Sequence, residues 1–436
     1  MNRDLISPSL SVSDGGELLI AGQSTAALAK EYGTPLYVMD EELIRSRCRE
    51  YKSAADKAFS GNYKIFYASK AASFKQLYRI MNEEQMHIDV VSAGEIATAS
   101  SAGFPMERAS YHSNNKTDSD IEYALDKGVG CFVADNLEEL YSLNEKAGER
   151  GIKQRVMLRL TPGIDPHTYE AISTGKVDSK FGFAIETGQA YEAVKTVLSL
   201  ENLDFEGIHA HVGSQVFDTD VYIRSAEIML EFAKKISVDF SHSVRELGLG
   251  GGFGARYTKD DPTMKISENI AFIGNYIVEK CKVLSIPVPT VTFEPGRSIV
   301  AEAGATLYSV GTVKRITGYK NYVSVDGGMT DNIRHALYGA KYTVFYANDM
   351  NARCDMECTV VGKCCESGDI IAKGIMLPDS VKRNDLLLCT TTGAYHYSMA
   401  SNYNRIPRPA VVMLKGGESY LAVKRESVED VSRLDV

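Results

Sequence analysis

The sequence predicts an α/β protein: a (β/α)8 barrel followed by a C-terminal, mostly antiparallel β domain. Three observations predict it. Eight short β-rich runs recur, each followed by a helix-compatible stretch. After about residue 300 this alternation gives way to strand-and-turn patterns. Side chains with chemistry to offer accumulate at the C-terminal ends of the runs, the edge where barrels carry their active sites.

The eight runs fall at 63–70 (YKIFYASK), 87–92 (HIDVVS), 108–113 (RASYHS), 131–136 (CFVADN), 154–162 (QRVMLRLTP), 207–214 (GIHAHVGS), 244–253 (VRELGLGGGF) and 290–298 (TVTFEPGRS). Between them lie stretches such as AGEIATASSAG, NLEELYSLNEKAGERG and VYIRSAEIMLEFAKKI, apolar at helical spacing with glycine near the ends. Strand–helix alternation of this length is the signature of a closed parallel barrel. Beyond it, ATLYSVGTVKRITG, NYVSVDGG, MECTVVGKCC, DLLLCTTTG and AVVMLKGGESYLAVKR alternate with turn residues and read as antiparallel strands. The N-terminal GELLIAG and TPLYVMD are β-like and are expected to join that domain. The division is therefore 38–302 for the barrel, with 1–37 and 303–436 forming the β domain. Two domains also suit 436 residues, more than one core supports.

Composition excludes several classes. Hydrophobic residues make up 44% and charged residues 24%, as in a soluble globular protein. The net charge of −9 and the lack of a basic run argue against nucleic acid as a partner. No stretch approaches a membrane span, and MNRDLISPSLSVSDGG lacks a signal-peptide core. Eight scattered cysteines in such a chain read as reduced thiols in a cytoplasm. Cys354, Cys358, Cys364 and Cys365 fit no zinc spacing, and no histidine lies close by, so no metal is expected.

The strand ends carry the chemistry. Lys70 ends the first run; by itself it would be a surface lysine. In an enclosed barrel mouth burial would lower its pKa and let its amine attack an aldehyde. Asp89 lies late in the second run and Arg159 late in the fifth. His209 and His211 lie on the sixth; a metal pair would want further ligands from later strands, and an imidazole stacked on a flat cofactor ring is the preferred reading, with a core-filling histidine as the bland one. The run 250–254, including Gly251 and Gly252, is no dinucleotide fingerprint, because Phe253 stands where the third glycine should be. It is no Walker A loop either, since no Gly-Lys-Ser/Thr follows. It can be a backbone nest for one phosphate, in the region where barrels bind phosphate. Glu294 precedes Pro-Gly-Arg and reads either as an ion-pair partner of Arg297 or as a carboxylate that keeps a pyridine nitrogen protonated.

YASKA around Lys70, STGKVDSKFGF (173–183), HAHVGSQ (209–215), GLGGGFG (248–254), EPGRSIVAEAG (294–304), DGGMTDNIRHALYGA (326–340), CESGD (365–369) and GAYHYSMASNYN (393–404) occur in this order. Together they resemble the diaminopimelate decarboxylase family of fold-type III pyridoxal 5′-phosphate (PLP) enzymes, which also include alanine racemase and ornithine decarboxylase. The resemblance covers nearly the whole chain. It implies a PLP-binding TIM barrel with a β domain, and loss of CO2 from the D-centre of meso-2,6-diaminopimelate to give L-lysine, the last step of lysine biosynthesis. Residue by residue it implies that Lys70 holds the cofactor covalently and that His211 stacks on its ring. Asp89 and Arg159, from their strand-end positions, are expected in the cofactor site as well. Ser214, Gly251, Gly252 and the backbone of Gly296 and Arg297 cradle the phosphate, and Glu294 meets the pyridine nitrogen. Tyr395 lies near phosphate and substrate. Arg297, Arg334 and Tyr338 bind the distal carboxylate. Cys365 donates a proton and Glu366 holds the distal ammonium, both from the neighbouring subunit of a homodimer with shared active sites.

The chain departs from the family at three places. His335 replaces a proline, Lys341-Tyr342 replaces an aromatic-histidine pair, and Lys363-Cys364 replaces a proline-apolar pair. None removes a matched chemical residue. The substrate also has a bottom-up argument: two further arginines suggest a second carboxylate that stays, because arginine suits bidentate recognition. The alternatives are a related decarboxylase of ornithine, arginine or carboxynorspermidine, and a non-catalytic relative that binds a protein. Loss of Lys70 or Cys365 would mark the latter, and both are present.

Overall fold

The computed structural model describes residues 4–164 and 179–436. The chain divides into two compact units: Met1–Ser46, Ala255–Thr263 and Arg297–Val436 in one, Arg47–Gly254 and Met264–Gly296 in the other.

The second unit is a barrel. Its strands, first to eighth, are Tyr63–Ala68, His87–Val90, Ala109–Tyr111, Cys131–Ala134, Gln154–Thr161, Leu203–His209, Glu246–Gly248 and Thr290–Phe293. Each pairs in parallel with the next, and the eighth pairs with the first, so the sheet closes. A two-residue strand, Phe183–Ala184, pairs in parallel with the end of the fifth. Sheets covered on both faces need near-continuous apolar runs, which is why QRVMLRLT is buried along almost its whole length. The helices bury one stripe each: Thr219–Phe240 turns Tyr222, Ala226, Met229, Ala233 and Ile236 inward. The connections are short because side-chain caps begin the helices at once. Ser92, Thr117 and Asn136 accept backbone N–H bonds just after the second, third and fourth strands.

All eight expected runs contain a strand, but the sixth is displaced. It begins at Leu203 and ends at His209, whereas 207–214 was expected. Asp204 and Glu206 alternate with buried Leu203 and Phe205, so this half of the strand is amphipathic and has no unbroken apolar run. At Gly207 the register shifts against the fifth strand. A Cβ there would lie 1.9 Å from the Glu246 carbonyl oxygen, so only glycine passes.

The other unit holds a nine-stranded sheet. Its path runs Ile370–Leu377, Met356–Val361, Lys320–Val325, Gly304–Ile316, Leu36–Asp40, Ala410–Lys415, Glu418–Val423, with Leu386–Thr390 and Val344–Tyr346 branching from Gly304–Ile316. Two pairings are parallel, Lys320–Val325 with Met356–Val361 and Leu36–Asp40 with Ala410–Lys415; the others are antiparallel. TPLYVMD pairs within this sheet, and GELLIAG lies in the same unit, in a smaller three-stranded sheet with Leu10–Val12 and Gln23–Ser24. Leu18, Ile20, Val38, Leu307, Leu388 and Val412 share one apolar core. Among the described residues no helix is long and apolar enough to cross a membrane.

Candidate active site

In the barrel unit the site grows from the C-terminal strand ends. Glu294 follows the eighth strand and is 8% exposed. His209 closes the sixth strand with its Nε2 3.0 Å from each Glu294 carboxylate oxygen. His112, next after the third strand, brings its Nε2 to 3.4 Å from Glu294 Oε1, and its ring stands edge-on to His209 at 4.9 Å. Burial alone would raise the Glu294 pKa. The nearby imidazoles of His209 and His112 and the hydrogen bond from His209 outweigh it and hold the carboxyl well below the usual range. Asp89, on the second strand, goes the other way: burial first, then the Glu294 charge, push its pKa well up against the pull of Lys70 and Arg159. Two neighbouring carboxyls thus have their pKa values pushed in opposite directions, Glu294 down and Asp89 up. Arg159 is buried behind them, with Asp135 3.9 Å from its Nε and the Phe181 ring 4.2 Å from its guanidinium carbon.

His211 lies two residues past the sixth strand. Its Nδ1 accepts the Gly251 N–H at 3.2 Å, which leaves Nε2 to carry any proton of the neutral ring. Desolvation, then the positive charges of Lys70 and Arg159, push its pKa well down and keep the ring neutral. The glycine run threads between neighbouring strand ends. A Cβ on Gly250 would meet the Ala210 oxygen at 2.7 Å, one on Gly251 the Glu294 oxygen at 2.1 Å, and one on Gly252 the Gly213 oxygen at 2.4 Å. Gly252 has φ +103 and so needs glycine twice over. Tyr222 bonds the Gly251 carbonyl at 3.1 Å, and Val216 N–H the Gly252 carbonyl at 2.8 Å, so Ser214 and the glycines form one braced loop pair. Gly296 packs against the end of the first strand, 2.9 Å from the Ala68 Cβ if it carried a Cβ of its own. Replacing Gly251 by alanine is expected to cost about 1–3 kcal/mol through overpacking. A fall in the urea midpoint with an unchanged m-value checks it.

One sequence expectation needs correction. Lys70 sits in a single 3₁₀ turn, Ser69–Ala71, beyond the strand, and is exposed. An enclosed lysine is not what the structure holds, because the strand ends at Ala68 and Lys70 lies in the turn beyond it. His209, which could have been mere core filler, is the hydrogen-bond partner of Glu294. The third donor that a metal reading wanted comes from an earlier strand: ligand atoms of His112, His209 and Glu294 lie within 4.8 Å of one another. The segment 173–178 of the STGKVDSKFGF motif lies outside the described residues.

The β unit carries a second cluster. Buried Arg297 donates from Nη1 to the Tyr257 hydroxyl, and its guanidinium carbon lies 4.8 Å from the Tyr395 ring centre. Buried Arg334 lies 5.2 Å from the same ring and 5.2 Å from that of Tyr338. Two cations therefore flank one tyrosine, held at φ +63. Among the described residues no carboxylate pairs with Arg334. Its Nε donates to the Tyr342 hydroxyl at 3.1 Å, and Tyr342 stands edge-on to Tyr257 and His396. Sequence reading missed Tyr257 and gave Tyr342 only as a departure. The departures are compensated: Tyr342 supports Arg334, and His335 donates from Nδ1 to the Ala340 oxygen at 2.9 Å across the turn.

Cys365 and Glu366 ride an exposed loop of the same unit. Asp369 accepts the N–H groups of Cys364 at 2.7 Å and Met329 at 2.6 Å, and Asn404 accepts that of Cys365 at 2.8 Å. Here too the departure at Lys363-Cys364 is absorbed, since the backbone is held by Asp369, Asn404 and the Gly327 oxygen.

Comparison with known proteins gives the class first. Residues 41–301 match the pyridoxal binding domain of the pyridoxal-dependent decarboxylases, and the chain belongs to that family. Within it, the chain is similar to diaminopimelate decarboxylase of Bacillus subtilis, 45% identical over 97% of this chain and 95% of that one. It is as close to the Staphylococcus aureus enzyme of that name, 45% identical over 96% and 97%. Among solved structures it matches diaminopimelate decarboxylase from M. jannaschii in complex with L-lysine, with TM-score 0.92, 31% identity and 99% and 98% of the two chains covered. The residues present fit the family's cofactor. Three glycines leave no room for a Cβ beside the strand ends, and Asp89 Oδ1 is a buried oxygen without a hydrogen-bond partner.

Proposed function

We infer that this chain is a PLP-dependent carboxy-lyase that converts meso-2,6-diaminopimelate to L-lysine and CO2. The observation that carries the substrate is the pair of buried arginines flanking Tyr395, with no carboxylate on Arg334 among the described residues. Buried guanidinium groups want an anion, and a planar carboxylate suits them. Ornithine and lysine offer one carboxylate, the one that leaves; diaminopimelate keeps a second. The relatives of the same name support this reading over a decarboxylase of ornithine, arginine or carboxynorspermidine.

Pyridoxal phosphate, when bound, supplies the sink for the electron pair left as CO2 departs. The chain's own residues do the rest. Lys70 would hold the cofactor covalently through its amine. Ser214, Gly251, Gly252 and the backbone of Gly296 and Arg297 hold the phosphate. Neutral His211 offers a flat face to the ring, with Asp89 and Arg159 beside it. Ionised Glu294 keeps a proton on the pyridine nitrogen. Arg334, Arg297 and Tyr338 hold the distal carboxylate, Tyr395 stands between the arginines, and Glu366 takes the distal ammonium. Cys365 returns a proton to the α-carbon. We place Cys365 and Glu366 in the site of a second copy, making the protein a homodimer, and the protein in the cytoplasm, where its eight free thiols would stay reduced.

Arg334→Ala tests the substrate. Losing a charge-assisted contact of this kind is expected to cost about 2–5 kcal/mol in kcat/KM for diaminopimelate. Cofactor affinity should hardly change. A wild-type enzyme that prefers ornithine, arginine or carboxynorspermidine would overturn the substrate assignment.

A further inference from the structure

Glu294 does not stand alone. Three buried groups from three strand ends meet at its carboxylate: Glu294 at 8% exposure, His209 at 1% and His112 at 4%. His209 Nε2 is 3.0 Å from both oxygens, so one imidazole alone straddles the carboxylate without choosing a side. His112 Nε2 is a buried nitrogen without a hydrogen-bond partner, 3.4 Å from Oε1. Burial keeps that ring neutral. A neutral imidazole still donates one N–H, and an unpaired buried donor beside a carboxylate is costly to leave unmade.

The loop bearing His112 is fixed from below. Lys116 is fully buried and donates to the Ser113 oxygen at 3.1 Å, the Val133 oxygen at 2.9 Å and Glu139 at 2.7 Å. Glu139 in turn accepts the Asp135 N–H at 3.1 Å. The third and fourth strand ends are thereby tied together, and His112 has little freedom to leave Glu294. Among the described residues, other charged or titratable groups that act on Glu294 include His211, Asp89 and Arg159.

We propose that His112 is a positioning residue for the decarboxylation: with His209 it grips one edge of the Glu294 carboxylate and leaves the other edge for the pyridine nitrogen. The proposal rests on the reading that Glu294 meets that nitrogen. It explains why two imidazoles crowd one carboxylate. A pyridine N–H needs one oxygen turned toward it, and two donors on the far edge prevent the carboxylate from rotating away. It also assigns a role to a residue that stands outside every motif of the family resemblance.

The test compares His112→Gln, whose amide can reach where Nε2 lies, with His112→Leu and the shorter His112→Asn. Holoenzyme of each is assayed for kcat, KM, cofactor dissociation and the pH dependence of the bound cofactor's visible band. His112→Leu is expected to lower kcat about 10²-fold, the scale of a misplaced catalytic group, with KM for diaminopimelate little changed. Its visible band should titrate at a different pH from wild type, and the cofactor should dissociate faster. His112→Gln should restore most of both properties and His112→Asn should not. Should the leucine variant fail to fold, the glutamine and asparagine variants still decide. If all variants melt lower but keep wild-type kcat and band titration, His112 is packing only and the proposal falls. It falls also if wild-type protein carries stoichiometric zinc that the variants lose. A wild type with no visible band on adding PLP would instead remove the underlying reading of Glu294, so the two failures are distinct.

Discussion

Borohydride reduction of the purified yellow protein is expected to fix pyridoxal phosphate to Lys70, and Lys70→Ala to abolish both the label and turnover. The expected loss in kcat is about 10²-fold or more, the scale on which a misplaced reacting group acts. The structure narrows the choice of lysine. Lys64 begins the first strand, at the opposite end of the barrel, and pairs with Glu246. Lys116 is sealed against Glu139. Lys70 is exposed one turn past the strand, among Asp89, His211 and Glu95, whose titration its charge influences. The described competitor is Lys180, also exposed and 5.0 Å from the Phe181 ring after the fifth strand. Peptide mapping separates them. Label on Lys180, or undiminished activity in Lys70→Ala, would end the assignment.

Much of the barrel was legible because parallel strands covered on both faces leave unbroken apolar runs between helical stripes. The sixth strand slipped because half of it is amphipathic, with Asp204 and Glu206 at its outer positions. The candidate site residues could be picked out as motifs, but their environments could not. Lys70 was expected to be enclosed; one 3₁₀ turn makes it exposed, and no pattern of residues announces a turn of three. His112 was inside a quoted run and still passed unread, because its partner Glu294 is distant in sequence and only closure of the barrel brings the third, sixth and eighth strand ends together. Tyr257 was hidden for a related reason. It follows the glycine run, yet Ala255–Thr263 packs with the β unit, where its hydroxyl receives Arg297. Tyr342 read as a departure until its hydroxyl was found on Arg334. What sequence hides here is long-range pairing between polar groups, since a hydrogen bond leaves no periodicity behind.

Mixing inactive variants is expected to restore activity. Cys365 lies on an exposed loop of the β unit, and Lys70 on the rim of the barrel unit. A thiol that returns a proton must touch the carbon held at Lys70, so some β unit must present Cys365 to some barrel. In a two-fold dimer with shared sites the β unit of one copy serves the barrel of the other, and the contact is isologous, each copy giving and receiving the same residues. Lys70→Ala spoils only barrels; Cys365→Ala spoils only the donated loop. In a hybrid of the two, one site carries both defects and the other carries neither. Equal amounts exchanging at random make half of all dimers hybrid, each with one sound site of two, so about a quarter of wild-type activity should return. Arg334→Ala, substituted for Cys365→Ala, should complement Lys70→Ala only if Arg334 also comes from the partner copy, which sets the two halves of the substrate site apart. If every chain served its own barrel, each site would keep its single defect and nothing would return. A mixture that stays inactive, with exchange verified by native mass spectrometry, would refute the shared site and leave Cys365 to act within its own chain.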